Sequence, residues 1–170
     1  MSESDKTPAE KVEKKHKPLS PNMRRSMARI AAVQALFQVE FNQASANTVV
    51  NEFLNDRVSE DLDGLRLKGL DQSLFLELLK GLMQERELTA DMVASVLDKD
   101  WTMDRLDPLL RLIMQAGAYE IQLRPDVPAR VVISEYVDIA HAYFGNKETA
   151  MVNGVLDKLA HARRADEFEK

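Results

Sequence analysis

The sequence predicts an all-α protein of about seven helices. Three observations predict it. Apolar residues recur at i, i+3, i+4 and i+7 along most of the chain, the spacing of one face of a helix. No stretch alternates apolar and polar residues as a half-buried strand would. Helix start and stop signals, among them Ser20-Pro21, Asp71, Pro128 and Gly145, divide the periodic stretches at helix-sized intervals.

Residues 1–20 are polar, lysine-rich and broken by Pro8 and Pro18, which predicts a disordered basic arm. Ser20 then suits an N-cap and Pro21 the first helical turn. The stripe Ala28, Ala32, Ala35, Leu36 and Val39 gives the first helix its apolar face. A second helix is expected over Thr48–Val58 on Val50, Phe53 and Leu54, followed by an irregular connection over 59–70 with Gly64 and Gly69. Asp71 caps a helix carrying Leu74, Phe75, Leu78, Leu79 and Leu82, and a shorter one spans Thr89–Leu97.

Asp98-Lys99-Asp100-Trp101 reads as a turn, with Trp101 plugging a junction between two halves. The segment Met103–Leu123 is apolar on nearly every side, so its helix must be central and buried. Arg124-Pro125-Asp126-Val127-Pro128 breaks the chain, and Pro128 opens a helix on Val132, Tyr136, Ile139 and Ala140 that stops at a left-handed Gly145. A last helix holds Met151, Val152, Val155, Leu156 and Leu159. The folded body is expected over 21–162, with 163–170 as a charged tail.

Composition narrows the function. The chain has no cysteine, which removes disulfides and thiolate chemistry and fits a reducing cytoplasm. No apolar run approaches the roughly 20 residues of a membrane span, and no apolar segment follows the N-terminal charges as a signal peptide requires. The net charge of −5 is uneven: residues 1–29 hold eight Lys and Arg against four acids, so +4 there leaves −9 on the rest. A basic arm on an acidic body is either a solubilising tail or a local anion-binding surface.

Catalytic constellations are missing. The six glycines are scattered, so no phosphate-cradling loop exists. Asp138 and His141 could share one helix face, but a metal site needs further ligands that no pattern supplies. The eight Met residues sit at core spacing. No enzyme activity, cofactor or metal is expected.

Three segments are more specific: Arg25-Ser-Met-Ala-Arg29-Ile-Ala-Ala-Val-Gln34-Ala-Leu-Phe37; Ala118-Tyr119-Glu120-Ile121 with the Asp126-Val127-Pro128 break and Ile133-Ser-Glu135; and Met151-Val152-Asn153-Gly154-Val155-Leu156-Asp157-Lys158. In this order and spacing they resemble the NusB family of transcription antitermination factors over about residues 23–162. The resemblance implies two packed helical bundles. It also implies binding to boxA RNA of nascent ribosomal RNA transcripts together with ribosomal protein S10 (NusE), in a complex that joins RNA polymerase with other Nus factors.

By the same resemblance the RNA face comprises Arg24, Arg25, Ser26, Arg29, Gln34 and Phe37, with Glu148, Met151 and Asn153. Arg25 and Arg29, one turn apart, can face one phosphate track. Gln34 can reach a base edge, while Phe37 fits either the core stripe beside Leu36 or a face for an unstacked base, and the resemblance favours the second. Glu148 matches an acidic position at the edge of the RNA face. Asn153-Gly154 is weakly helix-forming, which suggests a close helix approach at Gly154 and a cross-helix bond from Asn153. The sequence departs from the commoner family pattern, Lys-Phe, at Ala150-Met151.

Tyr119 and Glu120 interrupt an apolar helix, as a buried hydrogen-bonded pair or the tip of a partner surface; the resemblance favours the S10 surface. A homodimer is compatible with all of this. Two rivals exist. One is the similar helical domain of an RNA cytosine methyltransferase, against which the chain's end near residue 170 counts. The other is a helical homo-oligomer whose basic arm is only a tail.

Overall fold

The computed structural model describes residues 19–43, 45–53, 61–62, 65–66 and 69–169. Residues 1–18 of the expected arm, the Leu54–Val58 end of the second helix and Gly64 lie outside the described residues. Among those described, seven α-helices appear: α1 (Pro21–Phe41), α2 (Ala46–Asn51), α3 (Gln72–Gln84), α4 (Arg86–Val96), α5 (Pro108–Leu123), α6 (Ala129–Tyr143) and α7 (Asn146–Arg163). In the connection before α3, β1 (Asp61–Leu62) and β2 (Leu65–Arg66) pair antiparallel, Asp61 opposite Arg66 and Leu62 opposite Leu65. Strands of two residues are too short to leave an alternating pattern, so the expectation of no strand misses them.

The start of α1 follows from its sequence. The Ser20 hydroxyl accepts from the Met23 amide at 3.2 Å, and Pro21 sits where its missing N–H costs nothing. Asp71 caps α3 through the Leu74 amide at 3.0 Å. The predicted apolar stripes of α1 and α3 are buried apart from Val39, which is half-buried.

α5 is the hub. Leu112 to Ile121 are buried without a break, and the helix packs against α1, α3, α4, α6 and α7. Helices α1–α3 gather on one side of it and α4, α6 and α7 on the other, giving two bundles around one continuous core. The helix does not begin at Met103. A 3₁₀ turn occupies Met103–Arg105, and Asp107 caps α5 at the Leu109 amide, 2.8 Å away, with Pro108 in its first turn. The continuous apolar run hid this cap–proline signal.

Three further boundaries differ. α4 begins at Arg86, so Thr89 is an interior residue whose hydroxyl donates to the Arg86 carbonyl at 3.2 Å. Pro128 precedes the first turn of α6 and does not sit inside it. Gly145 has φ −84° and ψ −171°, extended backbone at the N-cap of α7 and not a left-handed stop. The expected turn does form at Asp98–Trp101, its Trp101 amide bonded to the Asp98 carbonyl at 2.9 Å. Trp101, however, packs between the ends of α4 and α7, inside the second bundle.

The close helix approaches are not at Gly154, around which a Cβ would meet nothing within 4 Å. They are at Gly81 of α3, where a Cβ would collide with the Tyr119 hydroxyl, and at Gly117 of α5, where it would lie 2.6 Å from Leu156. Gly81→Ala should therefore destabilise by about 1–3 kcal/mol through overpacking. Gly154→Ala should be neutral or stabilising by up to about 1 kcal/mol, since alanine is the better helix former. Urea unfolding of the two variants side by side checks this contrast.

The expected charged tail is structural through Phe168. Arg164, 6% exposed, sits just after α7, and a 3₁₀ turn spans Ala165–Phe168. The Arg164 guanidinium donates to the Glu120, Ile121 and Arg124 carbonyls at 2.8, 2.8 and 2.7 Å. It also donates to the Val127 carbonyl and to the Glu167 carboxylate. Four N–H donors thus meet carbonyls at the end of α5 and in the loop after it, two of which, Glu120 and Arg124, also accept backbone amides, and a positive charge sits where the helix dipole is negative.

Glu167 in turn accepts from the Ala129 amide at 2.7 Å, replacing the side-chain cap Pro128 cannot offer α6. That bond, with help from Arg164, lowers the Glu167 pKa. Its stabilising effect is present above the ordinary glutamate range and is lost as pH falls through the lowered value. Thermal melts between neutral and acid pH should show a shallower acid-side loss for Glu167→Gln than for the parent.

Candidate nucleic-acid interface

α1 and α6 run parallel and are bridged by polar side chains. Ser26 donates to Glu135 at 2.8 Å, and two turns further on Gln34 donates to the Tyr143 hydroxyl. The two bridges are eight residues apart on both helices, a rise of about 12 Å. Between them lies a buried cluster. Arg29, 3% exposed, donates through Nε and Nη2 to the two Glu120 oxygens at 2.8 and 2.9 Å, while its Nη1 lies 3.7 Å from Glu135. The Tyr136 hydroxyl donates to the same Glu120 carboxylate, itself 0% exposed.

The electrostatics follow from that geometry. Burial opposes the Arg29 charge, but the hydrogen bonds and field of Glu120 outweigh it and hold Arg29 above the usual arginine range. Burial and the neighbouring Glu120 charge push the Tyr136 hydroxyl well above the usual tyrosine range. Arg29, Glu120 and Tyr136 thus fasten α1, α5 and α6 to one another. The expectation that Arg25 and Arg29 face one phosphate track is corrected on this point: Arg29 lies on the core flank of α1 with its fork taken by Glu120.

The same burial decides Tyr119 and Glu120. Glu120 is the inner half of an ion pair, and Tyr119, 7% exposed, lies over Gly81 between α5 and α3. Burial first, and then the charge of Glu77, raise the Tyr119 hydroxyl pKa. Neither residue forms the tip of a partner surface; of the two readings left open, the buried one is what the fold contains.

The other predicted residues fall in three places. At the start of α1, half-buried Arg25 bonds to Asn22. It lines a cleft of about 450 Å³ with Arg124, Val131 and Glu135, floored by Arg29. Arg24 is exposed and donates to the Gly69 carbonyl at 2.8 Å, tying α1 to the segment before α3. Gly69 has φ +91°, a left-handed conformation that favours glycine.

Further along α1, Gln34 and half-buried Phe37 share a face with Phe41. The two rings stack with centroids 4.6 Å apart, and Phe41 is 44% exposed. Phe37 therefore belongs to both readings: it packs on the core and continues into an exposed ring. Phe41 and Tyr143 were not singled out from sequence. The i, i+4 pairing of Phe37 with Phe41 was the available signal for the first; Tyr143 had none.

At α7 the predicted residues diverge. Glu148 lies in the first turn, its carboxylate near Gly145, where it complements the helix N-terminus. Met151 faces Trp101 across one cleft, while Asn153 lines another, between α6 and α7 beside Asp157 and His161. Asn153 is exposed and makes no hydrogen bond across to another helix among the described residues, so that structural expectation fails. No group of three or more potential metal-ligating side chains occurs among the described residues, and no helix there is long and apolar enough to cross a membrane.

Comparison with known proteins gives this geometry a context. The family model described as NusB family matches residues 26–161. A protein of Rhodopseudomonas palustris (strain BisB18) named transcription antitermination protein NusB is 41% identical over 166 residues, covering 98% of this chain and 95% of its own. A protein of the same name from Bradyrhizobium diazoefficiens is 38% identical over 168 residues, covering 99% and 98%.

Among solved structures, T. maritima NusB superposes with a TM-score of 0.69 at 24% identity, covering 89% of this chain and 99% of its own. A chain from the structure of antitermination factors NusB and NusE in complex with dsRNA superposes with a TM-score of 0.66 at 21% identity, covering 82% and 98%. The structural matches establish a shared all-α fold.

Proposed function

Because the chain belongs to the NusB family, we propose that it is a transcription antitermination factor that binds boxA-type RNA of nascent ribosomal RNA transcripts together with ribosomal protein S10 (NusE). The observation that carries this reading is the 41% identity, over nearly the full length of both chains, to a protein named as a transcription antitermination protein. A solved relative of the same fold pairs with NusE in the presence of RNA. The chain then acts by binding, as an adaptor in the cytoplasm, and hands the assembled complex to RNA polymerase with other Nus factors. Self-association of two copies is compatible with this role and would compete with it if it covered the same face.

The chemistry of the surface supports the reading residue by residue. Arg25 supplies a guanidinium at the mouth of a cleft, within reach of a phosphate. Phe37 and Phe41 present an aromatic face suited to unstacked bases, beside the Gln34 amide. Arg29 supports this surface from beneath by fixing α1 on α5. Tyr119 and Glu120 contribute as buried supports, so contact with S10 falls to other side chains.

Arg25→Ala should weaken RNA binding and lower the slope of affinity against salt by about one ion, with the melting temperature unchanged. Fluorescence anisotropy of labelled RNA across a salt series measures both. An unaltered slope would remove Arg25 from the interface.

A further inference from the structure

Among the described residues one buried side-chain polar atom has no hydrogen-bond partner, the Gln34 Oε1 oxygen. Its isolation follows from the bond on the other side of the amide. Gln34 Nε2 donates to the Tyr143 hydroxyl across α1 and α6, and this holds the amide in the packing between the helices with Oε1 shut away from solvent. Turning the amide over cures nothing. Tyr143 would then donate to the oxygen, and the NH₂ group would take the buried place without an acceptor. Tyr143 itself is half-buried against the core, so its hydroxyl is a fixed post.

The magnitudes make this arrangement bistable. A buried carbonyl left unmet costs at least as much as one neutral hydrogen bond returns. The inward amide is therefore close in energy to one swung out to solvent. Outside, Gln34 comes up beside Phe37 and Phe41, three and seven residues further along α1, whose rings stack and end in the 44% exposed Phe41. There it offers both a donor and an acceptor to the edge of a base lying on that aromatic face.

We propose that Tyr143 is a latch on Gln34, holding the amide inward in the free protein and releasing it when RNA binds. Tyr143 acts through Gln34 and touches no RNA, which makes it a positioning residue. The latch sets a threshold: a stacked base draws Gln34 out only if its edge replaces the Tyr143 bond and also supplies the donor that Oε1 lacks. This inference rests on the RNA-binding reading above and adds to it a residue of α6 that controls one of its contacts.

Full-length parent protein, Tyr143→Phe, Gln34→Ala and the double variant are titrated with labelled boxA-type RNA by anisotropy, with thermal melts in parallel. Tyr143→Phe keeps the packed ring and removes only the hydroxyl. The latch predicts that it tightens RNA binding by about three- to tenfold, the worth of the one bond no longer broken. The gain should vanish without its target, so that the double variant binds as Gln34→Ala does alone. A purely structural hydroxyl would move the melting temperature and leave RNA affinity where it was. Unchanged or weaker binding by Tyr143→Phe, or a gain that persists beside Gln34→Ala, overturns the latch and leaves the RNA-binding reading intact. Absence of RNA binding in all four proteins overturns both.

Discussion

Arg29→Met should destabilise the protein by about 3–5 kcal/mol, lowering its melting temperature by roughly 10 °C. The loss comes from Glu120, which is 0% exposed and keeps only the Tyr136 hydroxyl once the guanidinium is gone. An uncompensated buried carboxylate is far costlier than the pair itself is stabilising. The double variant Arg29→Met, Glu120→Gln should therefore recover much of the loss, because no buried charge is left. Equilibrium unfolding in urea of the two single variants and the double closes the cycle. A surface role for Arg29 would leave its single variant within about 0.5 kcal/mol of the parent.

Arg164→Ala should cost a comparable amount, about 3–5 kcal/mol. It removes a donor from the Glu120, Ile121, Arg124 and Val127 carbonyls; Glu120 and Arg124 still accept from the Arg124 and Val127 amides, so Ile121 and Val127 bear most of the loss. Each buried carbonyl left unsatisfied costs about 1–3 kcal/mol, moderated by water reaching some of them. Arg164→Lys keeps the charge near the end of α5 but cannot fork to several acceptors, so it should recover less than half of the loss. Removing residues 164–170 should mimic Arg164→Ala. If those residues were a loose tail, truncation would leave the unfolding midpoint unchanged.

The two sites differ in how far the sequence announces them. Glu120 carries a signal: a lone acid in a helix otherwise apolar on all sides needs a buried cation, and Arg29 is the cation aligned with a core stripe. Reading Arg29 beside Arg25 as one surface pair overlooked its place on the flank of the buried face. Arg164 carries no such signal. Its partners are backbone carbonyls more than 35 residues away in sequence, and backbone leaves no trace in side-chain pattern.

The helices themselves were legible because periodicity and caps are local. Ser20-Pro21 and Asp71 act as the sequence expects, while Asp107-Pro108 was masked by the apolar run around it. The candidate interface was legible in part. Arg25, Gln34 and Phe37 line up on or beside α1, but Phe41 and Tyr143 join them only once the helices are packed. The separation of Met151 from Asn153 is a helical-wheel fact, two positions apart on opposite flanks of α7, and a resemblance read along the chain does not convey it.

Whether this protein is an RNA adaptor is tested most directly by titrating a boxA-type RNA with the full-length chain, alone and with S10, at fixed salt. The account predicts saturable binding that tightens when S10 is present, with Arg25→Ala weaker in both arms. Absence of saturable RNA binding in either arm, with the protein folded, would contradict it.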